Sequence, residues 1–563
     1  MKRTSLVATV SLVLLGLGSS LTNLGNGFPQ DDIPVIERNG VIHSLAEPWT
    51  FFTQSYWPKP FSPALYRPLA TTGFAVQWAI GGGKAWLFRA VSDVMYIAAG
   101  LAVFHLAGLL LPALAAWLVA AFFMVHPVHV EAVAVAVNQS ELMVGFLAAL
   151  VVILYLAVRR RTGGLKPSHG IALFLLYLAA TLFKESGLMI IGLLVAAELT
   201  VVQDDRPIKE RLARIRPTLL VMLLGAAMFF AIRTFALEGD PVGTFTAEAL
   251  YGQSMGGRAL TMLGVVPHWY RLLLWPAHLR GDYSPREIEQ ATTWGYEQTQ
   301  GLALVILPVL LAIICWRRLP VVTFGLLWTA IGIFPVSNVV VPTGIVLAER
   351  TLFLPSIGMM LVIGGLAVPV IDWLRTRPKA LRFAAAGAVG AVLVMGLTRS
   401  ASRQLVWKDQ MTFWYQTTID APLSYRAHHA LAYLLFDVGV RGQAERHYKT
   451  AIALYPESWG ARFELANRLR LAGQCEPASS FYRQALVIEP QHENARTSLI
   501  ACFLFLGRYA DAKAEAREGV SYATRPAMVK LFQRLMRLSD SAIQAKAPAE
   551  TVRIRILPSD TLP

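Results

Sequence analysis

The chain has 563 residues, 55% hydrophobic and 15% charged, with a mean hydropathy of +0.49. Soluble domains carry roughly 25% charged residues, so an ordinary cytosolic enzyme is excluded. The net charge of +15 falls in short loops between apolar runs, where it reports membrane topology rather than nucleic-acid binding.

The first apolar run, Leu6 to Leu21 behind Lys2-Arg3, reads as a retained helix or a cleaved leader. Further runs lie near 88–110, 112–125, 141–158, 170–183, 187–202, 217–236, 300–316, 320–336, 351–371 and 383–399. At roughly 20 apolar residues per crossing they predict about eleven spans. Four basic loops, at Arg159 to Lys166, Arg206 to Arg216, Arg317-Arg318 and Arg375 to Arg382, then share the cytoplasmic face with the N-terminus. The opposite loops, 23–87, 126–140, 184–186, 237–299 and 337–350, hold Trp, Tyr, Pro, His and acids, the composition of a site. The segment 258–276 is apolar but broken by Pro267, His268 and Arg271, and reads as interfacial or re-entrant.

From residue 400 the sequence becomes periodic. Pro422, Pro456 and Pro490 stand 34 residues apart, as do Leu431, Leu465 and Leu499; Gly439, Gly473 and Gly507; and Ala444, Ala478 and Ala512. This is the tetratricopeptide pattern of stacked helix pairs, with residues near 525–545 as a capping helix. The predicted fold is all-α: a polytopic membrane domain over 1–399, an α-solenoid over 400–545 and a tail over 546–563. Cys475 and Cys502 could pair, but the three cysteines read first as buried free thiols.

Ionisable groups at span ends are functional candidates. Asp31-Asp32 are adjacent carboxylates, of which one with a raised pKa would serve as a general base; the plainer reading is a helix cap before Ile33-Pro34. His126, His129 and Glu131 fall within six residues and suit hydrogen bonding better than a metal. Lys184-Glu185 is a solvated turn or a self-neutralised pair beside a lipid phosphate. Arg350, behind Glu349, is an interfacial anchor or a bidentate phosphate clamp. Arg67, Glu141 and Asp282 complete the candidates. Together they suit a substrate with a lipid tail in the bilayer and a charged phosphate at its surface.

Five motifs then occur in an order that resembles the transmembrane and tetratricopeptide-repeat O-mannosyltransferase-like family (TMTC). They are Gly27-Phe28-x-x-Asp31-Asp32, Tyr66-Arg-Pro-Leu69, His126-Pro-Val-His129-x-Glu131, Lys184-Glu185-x-Gly187, and Ser337-Asn338 through Glu349-Arg350 to Gly358. The resemblance implies a GT-C glycosyltransferase that moves a sugar, mannose first, from a polyprenyl phosphate to a Ser or Thr hydroxyl of a polypeptide held by the repeats. It implies Asp31 or Asp32, with Asp31 favoured, as the base. Arg67, Lys184, Glu185, Glu349 and Arg350 would stand at the donor phosphate, and His126, His129, Glu131, Glu141 and Asp282 along the cavity. No metal or other cofactor is assigned. In one place the chain departs: Gln139, in Asn138-Gln139-Ser140-Glu141, stands where the family shows Arg. The expected setting is a bacterial inner membrane with the repeats in the periplasm. Transfer to lipid or envelope glycan, and a non-catalytic scaffold, are the competing readings.

Overall fold

The computed structural model describes residues 2–58, 65–162, 166–204, 206–237 and 246–546. Nearly all of the expected tail, together with 59–64 and 238–245 of the site-side loops, lies outside them. Among the described residues there are helices and no strands, in two compact units, Met1–Tyr283 with Ile288–Gln416, and Ser284–Glu287 with Thr417–Pro563.

The larger unit runs α1 Lys2–Ser20, α2 Pro68–Gly81, α3 Ala85–Leu110, α4 Ala113–Met124, α5 Val130–Ala134, α6 Gln139–Thr162 and α7 Pro167–Phe183. It continues α8 Ile190–Thr200, α9 Ile208–Ala236, α10 Met255–Leu274, α11 Tyr296–Cys315, α12 Pro320–Ile333, α13 Phe353–Arg375 and α14 Lys379–Gln404. Seven helices are long and apolar enough to cross a membrane: α1, α3, α6, α9, α11, α13 and α14. An eighth crossing is reached if α4 and the Pro127–Ala134 segment, bent 47° at His126-Pro127, are one broken span. The chain is an all-α polytopic membrane protein.

All eleven expected apolar runs are helical, but α4, α7, α8 and α12 are 12, 17, 11 and 14 residues long, short of a crossing by themselves. Two of them stop at motif residues and a third at a proline. His126-Pro127 ends α4, Lys184-Glu185 separates α7 from α8, and Phe334-Pro335 ends α12. Irregular backbone at such depth is tolerated where protein covers it. Residues 258–274 of the 258–276 segment lie in one continuous helix, α10, with Pro267 inside it.

Small residues set the crossing of α12 and α13. A side chain on Gly325 of α12 would meet the Gly358 carbonyl of α13 at 2.5 Å, so both positions admit only hydrogen. Lipid is as apolar as leucine, so close backbone approach of this kind drives helix association.

Helix α15, Gln410–Asp420, carries the boundary between the units. The second unit then holds three helix hairpins: α16 Tyr425–Asp437 with α17 Arg441–Leu454, α18 Trp459–Leu471 with α19 Cys475–Ile488, and α20 Glu493–Phe505 with α21 Tyr509–Tyr522. The amphipathic α22, Pro526–Gln544, closes it. Each hairpin turns at a glycine with positive φ: Gly439 at 85°, Gly473 at 78° and Gly507 at 71°. Left-handed backbone favours glycine, which explains that column of the 34-residue repeat. The alanine column is buried, and so are Tyr448 and Tyr482, which stand 34 residues apart; Ala444, Ala478, Ala512, Tyr448 and Tyr482 are all inaccessible.

Candidate functional site

The site is built on the loop after α1. Asn26 Nδ2 donates to the Gln404 carbonyl at 2.8 Å, and the Gly27 N–H to the Lys408 carbonyl at 2.8 Å, so the loop is tied to the end of α14. The backbone then reverses through Pro29-Gln30, with Gln30 at φ 43°. A non-glycine residue in that region is uncommon and concentrates at functional sites. Asp31 follows it.

The two aspartates have different surroundings. Asp32 is inaccessible. Its Oδ2 meets Arg89 Nη2 at 2.6 Å and accepts the Ala136 N–H at 3.0 Å, while its Oδ1 accepts the Val137 N–H at 2.9 Å. Arg89 also donates to the carbonyls of Ala134, at 2.6 Å, and Gly27. This carboxylate does not cap the π-helical turn Ile33–Glu37, as the plainer sequence reading expected. It joins the loop, α3 and the break after α5 instead. Asp31 is half-buried, and among the described residues its carboxylate has no hydrogen-bond or ion-pair partner. Burial raises its pKa; Arg350 and Arg67 pull it down, while Asp32 and Glu131 push it up.

Around Asp31 the other charges are paired. The Arg350 guanidinium meets Glu131 Oε1, and the Arg350 backbone N–H donates to Glu131 Oε2 at 2.9 Å. Lys184 pairs with Glu141. Glu185 accepts Arg67 Nε at 3.2 Å and Nη2 at 3.1 Å on one oxygen, and Arg233 Nη1 at 3.0 Å on the other. Lys184 and Glu185 therefore do not neutralise each other, as one reading of the turn required. Burial opposes ionisation of Glu185, but Arg67 and Arg233 hold its pKa at about 2. Burial lowers Lys184, against the pull of Glu141. The Arg67 guanidinium also lies 5.1 Å over the Tyr56 ring. The result is a cluster of fixed cations, each matched to a carboxylate, around one unmatched acid.

The remaining candidates are placed otherwise. His129 Nε2 contacts Ser356 Oγ at 2.8 Å and Nδ1 contacts Tyr96 OH at 3.2 Å, with the residue 1% exposed. His126 Nε2 donates to the Leu273 carbonyl at 3.1 Å, leaving Nδ1 to accept the Val128 N–H at 3.3 Å. These imidazoles are buried hydrogen-bonding groups that hold the bend. Glu349 accepts the Arg280 N–H at 2.6 Å and the Tyr283 hydroxyl at 3.0 Å, anchoring the loop after α10. Asp282 is half-buried in that loop. Among the described residues no three His, Cys, Asp or Glu side chains are grouped as a metal would need.

Gln139 is buried. Its amide exchanges hydrogen bonds with Gln77, at 2.9 and 3.0 Å, and donates to the Phe88 carbonyl at 3.0 Å, closed inside the helix packing. Sequence reasoning missed Arg89 and Arg233. Both sit inside apolar helices, and a guanidinium there is itself the signal, since it must find a buried acid.

No family model matches the chain. Curated proteins do. It is 24% identical over 455 residues to Protein O-mannosyl-transferase F38B6.6 of Caenorhabditis elegans, covering 79% of this chain and 62% of that protein. It is 26% identical to Protein O-mannosyl-transferase TMTC1 of Homo sapiens, over 80% of this chain and 55% of that one. It is 30% identical over 294 residues to Protein O-mannosyl-transferase Tmtc2 of Drosophila melanogaster, covering 50% of this chain and 31% of that one. The chain thus spans at most 62% of the length of these relatives. Over most of its own length, it is similar to the TMTC protein O-mannosyl-transferases.

Proposed function

We propose that the chain is an integral-membrane glycosyltransferase that moves a sugar, mannose first among candidates, from a polyprenyl phosphate to a Ser or Thr hydroxyl of a polypeptide. The relatives' names support protein as acceptor and mannose as the group transferred. The observation that carries the chemistry is Asp31, an unpartnered, half-buried carboxylate amid paired cations.

In this reading Asp31 takes the proton of the acceptor hydroxyl, whose oxygen attacks the anomeric carbon with inversion. The bond from that carbon to the phosphate oxygen breaks, and the electron pair leaves with the phosphate. Arg350, Lys184 and Arg67 exchange part of their carboxylate contact for the departing anion, which is electrostatic catalysis by groups already oriented. Asp32 and Arg89 hold the loop that carries Asp31. The hairpin repeats grip the polypeptide, as stacked repeats offer extended surfaces to extended ligands.

The test is sugar transfer by the full chain in detergent, offered a panel of polyprenyl-phosphate sugars and protein acceptors, with D31N beside it. Transfer by the unaltered chain and its loss in folded D31N support the reading. Undiminished transfer in D31N overturns the assignment of the base. Transfer to lipid alone overturns the assignment of the acceptor.

A further inference from the structure

The 34-residue interval sets equivalent places of the three hairpins side by side. His428 of α16 and His447 of α17 stand where the third hairpin, two repeats further on, has Arg496 and Glu515. There the Arg496 guanidinium pairs with Glu515 across α20 and α21 and donates to the Pro490 carbonyl at 3.0 Å. An ion pair thus ties one helix of that hairpin to the other. The second hairpin has Arg462 and Phe481 at these places. In the first they hold imidazoles, and the proposed transfer reaction uses neither.

The two rings meet. His428 Nδ1 lies 2.8 Å from His447 Nδ1, with ring centroids 5.1 Å and planes 27° apart. His428 Nε2 stands 3.2 Å from the Pro422 carbonyl, the counterpart of the Arg496 contact with Pro490. A carbonyl only accepts, so Nε2 carries the ring proton of His428 and Nδ1 presents a lone pair. His447 Nδ1 then donates the one proton held between the rings, and its Nε2 has no partner among the described residues. An imidazole fixed by a carbonyl at one nitrogen and offering a lone pair at the other is arranged as metal-binding histidines are. Both residues are half-buried, so solvent reaches the pair. The neighbouring Arg446 is exposed, where solvent and salt screen its charge.

Distance selects the ion. Two nitrogens bound to one metal at about 2.0–2.1 Å lie about 2.9 Å apart at a right angle and about 3.3 Å apart at the tetrahedral angle. The observed 2.8 Å fits the right angle, the geometry of square-planar or tetragonal Cu(II) and Ni(II). We propose that His428 and His447 bind one such divalent ion through their Nδ1 atoms, with water in the remaining positions. Among the described residues no third His, Cys, Asp or Glu side chain joins them. The ion links α16 to α17 as Arg496 and Glu515 link α20 to α21. On binding, His447 changes tautomer: its Nδ1 proton leaves to solvent and Nε2 takes one up. Both rings stay neutral, two metal–nitrogen bonds replace one hydrogen bond, and no electron is transferred.

The experiment uses the full chain in detergent, without a polyhistidine tag and stripped of metal. It is titrated with copper(II) sulfate and read by electron paramagnetic resonance. Expected is one copper per chain at micromolar concentration, with the splitting of two directly bonded nitrogens. Copper(II) sulfate or nickel(II) chloride should also raise the unfolding temperature, and a chelator should reverse the rise. H428Q and H447Q should each lose the two-nitrogen signal and the thermal shift, while H278Q, at an exposed histidine elsewhere, keeps both. Absence of the two-nitrogen signal from the unaltered chain overturns the proposal. So does a signal that survives in H428Q and H447Q, which would mark an adventitious ion only. Where a variant fails to fold, copper-catalysed oxidation of the unaltered chain, mapped by mass spectrometry, decides the matter. Oxidation at His428 and His447 supports the site, and oxidation confined to other histidines overturns it.

Discussion

The Asp32 carboxylate meets the Arg89 guanidinium at 2.6 Å with neither side chain reaching solvent, while the adjacent Asp31 has no partner among the described residues. The pair also takes two backbone N–H groups, of Ala136 and Val137, so its removal leaves several buried donors unmatched. A buried charge without its counterpart costs about 3–5 kcal/mol.

The neighbouring aspartates should therefore fail in different ways. D32N is expected to lower the unfolding temperature and the yield of folded protein, with activity lost in proportion. D31N is expected to fold with stability within about 1 kcal/mol of the unaltered chain, since it breaks no contact. It should lose transfer by roughly 10²–10⁴-fold, the usual worth of a general base. Thermal unfolding in detergent, run beside the transfer assay, separates the two. Equal destabilisation by both would overturn the division of roles.

The pH dependence follows from the same burial. Asp31 is raised above the ordinary aspartate value, so the folded chain holds its proton where the unfolded chain has released it. Stability from this group is therefore greatest at low pH and declines as pH rises from the unfolded value through the folded one. Activity runs the other way, because a base must be ionised. The transfer rate should rise with pH along a limb whose midpoint lies above the ordinary aspartate range, about 3.9. D31N should remove that limb, and a limb retained in D31N would assign it to another group.

What the sequence discloses here is periodic or local. Eleven apolar runs and a 34-residue interval survive as helices and hairpins, because both are repeated along the chain and no single residue decides them. The candidate cluster is also legible, since Glu131, Glu141, Lys184, Glu185 and Arg350 stand at or near run ends, and Asp31 and Arg67 stand in the loop 23–87 on the same side. Pairing is not. Asp32 finds Arg89 57 residues away, and Arg350 finds Glu131 219 residues away, distances over which no local spacing carries information. The residues themselves suit hydrogen bonding, and at the α4 bend the two imidazoles meet backbone and hydroxyl partners inside the core, partners that no local spacing names.

Glu185 joins Arg67, before α2, to Arg233, in the last turn of α9. E185Q keeps the shape and removes the charge from two largely buried guanidiniums. Its carboxylate is 27% exposed, so screening tempers the cost, and a loss of about 2–3 kcal/mol is expected. Because its pKa is depressed to about 2, the stability it contributes is present above the unfolded value and is lost as pH falls toward 2. Acid unfolding followed from pH 6 downward should show this component in the unaltered chain and not in E185Q. R67K should not rescue the contact, since lysine cannot place two donors on one carboxylate oxygen while lying over Tyr56.

Gln139 offers the sharpest separation between a family pattern and this chain. The resemblance sets an arginine there, and on that ground alone Q139R would restore a donor contact and raise transfer. The geometry gives the opposite result. The Gln139 amide is 3% exposed and reciprocally bonded to Gln77, with further contacts to the Phe88 carbonyl and Ser92 Oγ. A guanidinium placed there loses the acceptor that Gln77 Nε2 now uses, and it buries a charge with no acid among these partners. Q139R should therefore destabilise by about 3 kcal/mol or more and leave transfer per folded molecule unimproved. Q77E together with Q139R supplies the missing carboxylate and should recover part of the lost unfolding temperature. A stable, more active Q139R single variant would show instead that this position faces the donor.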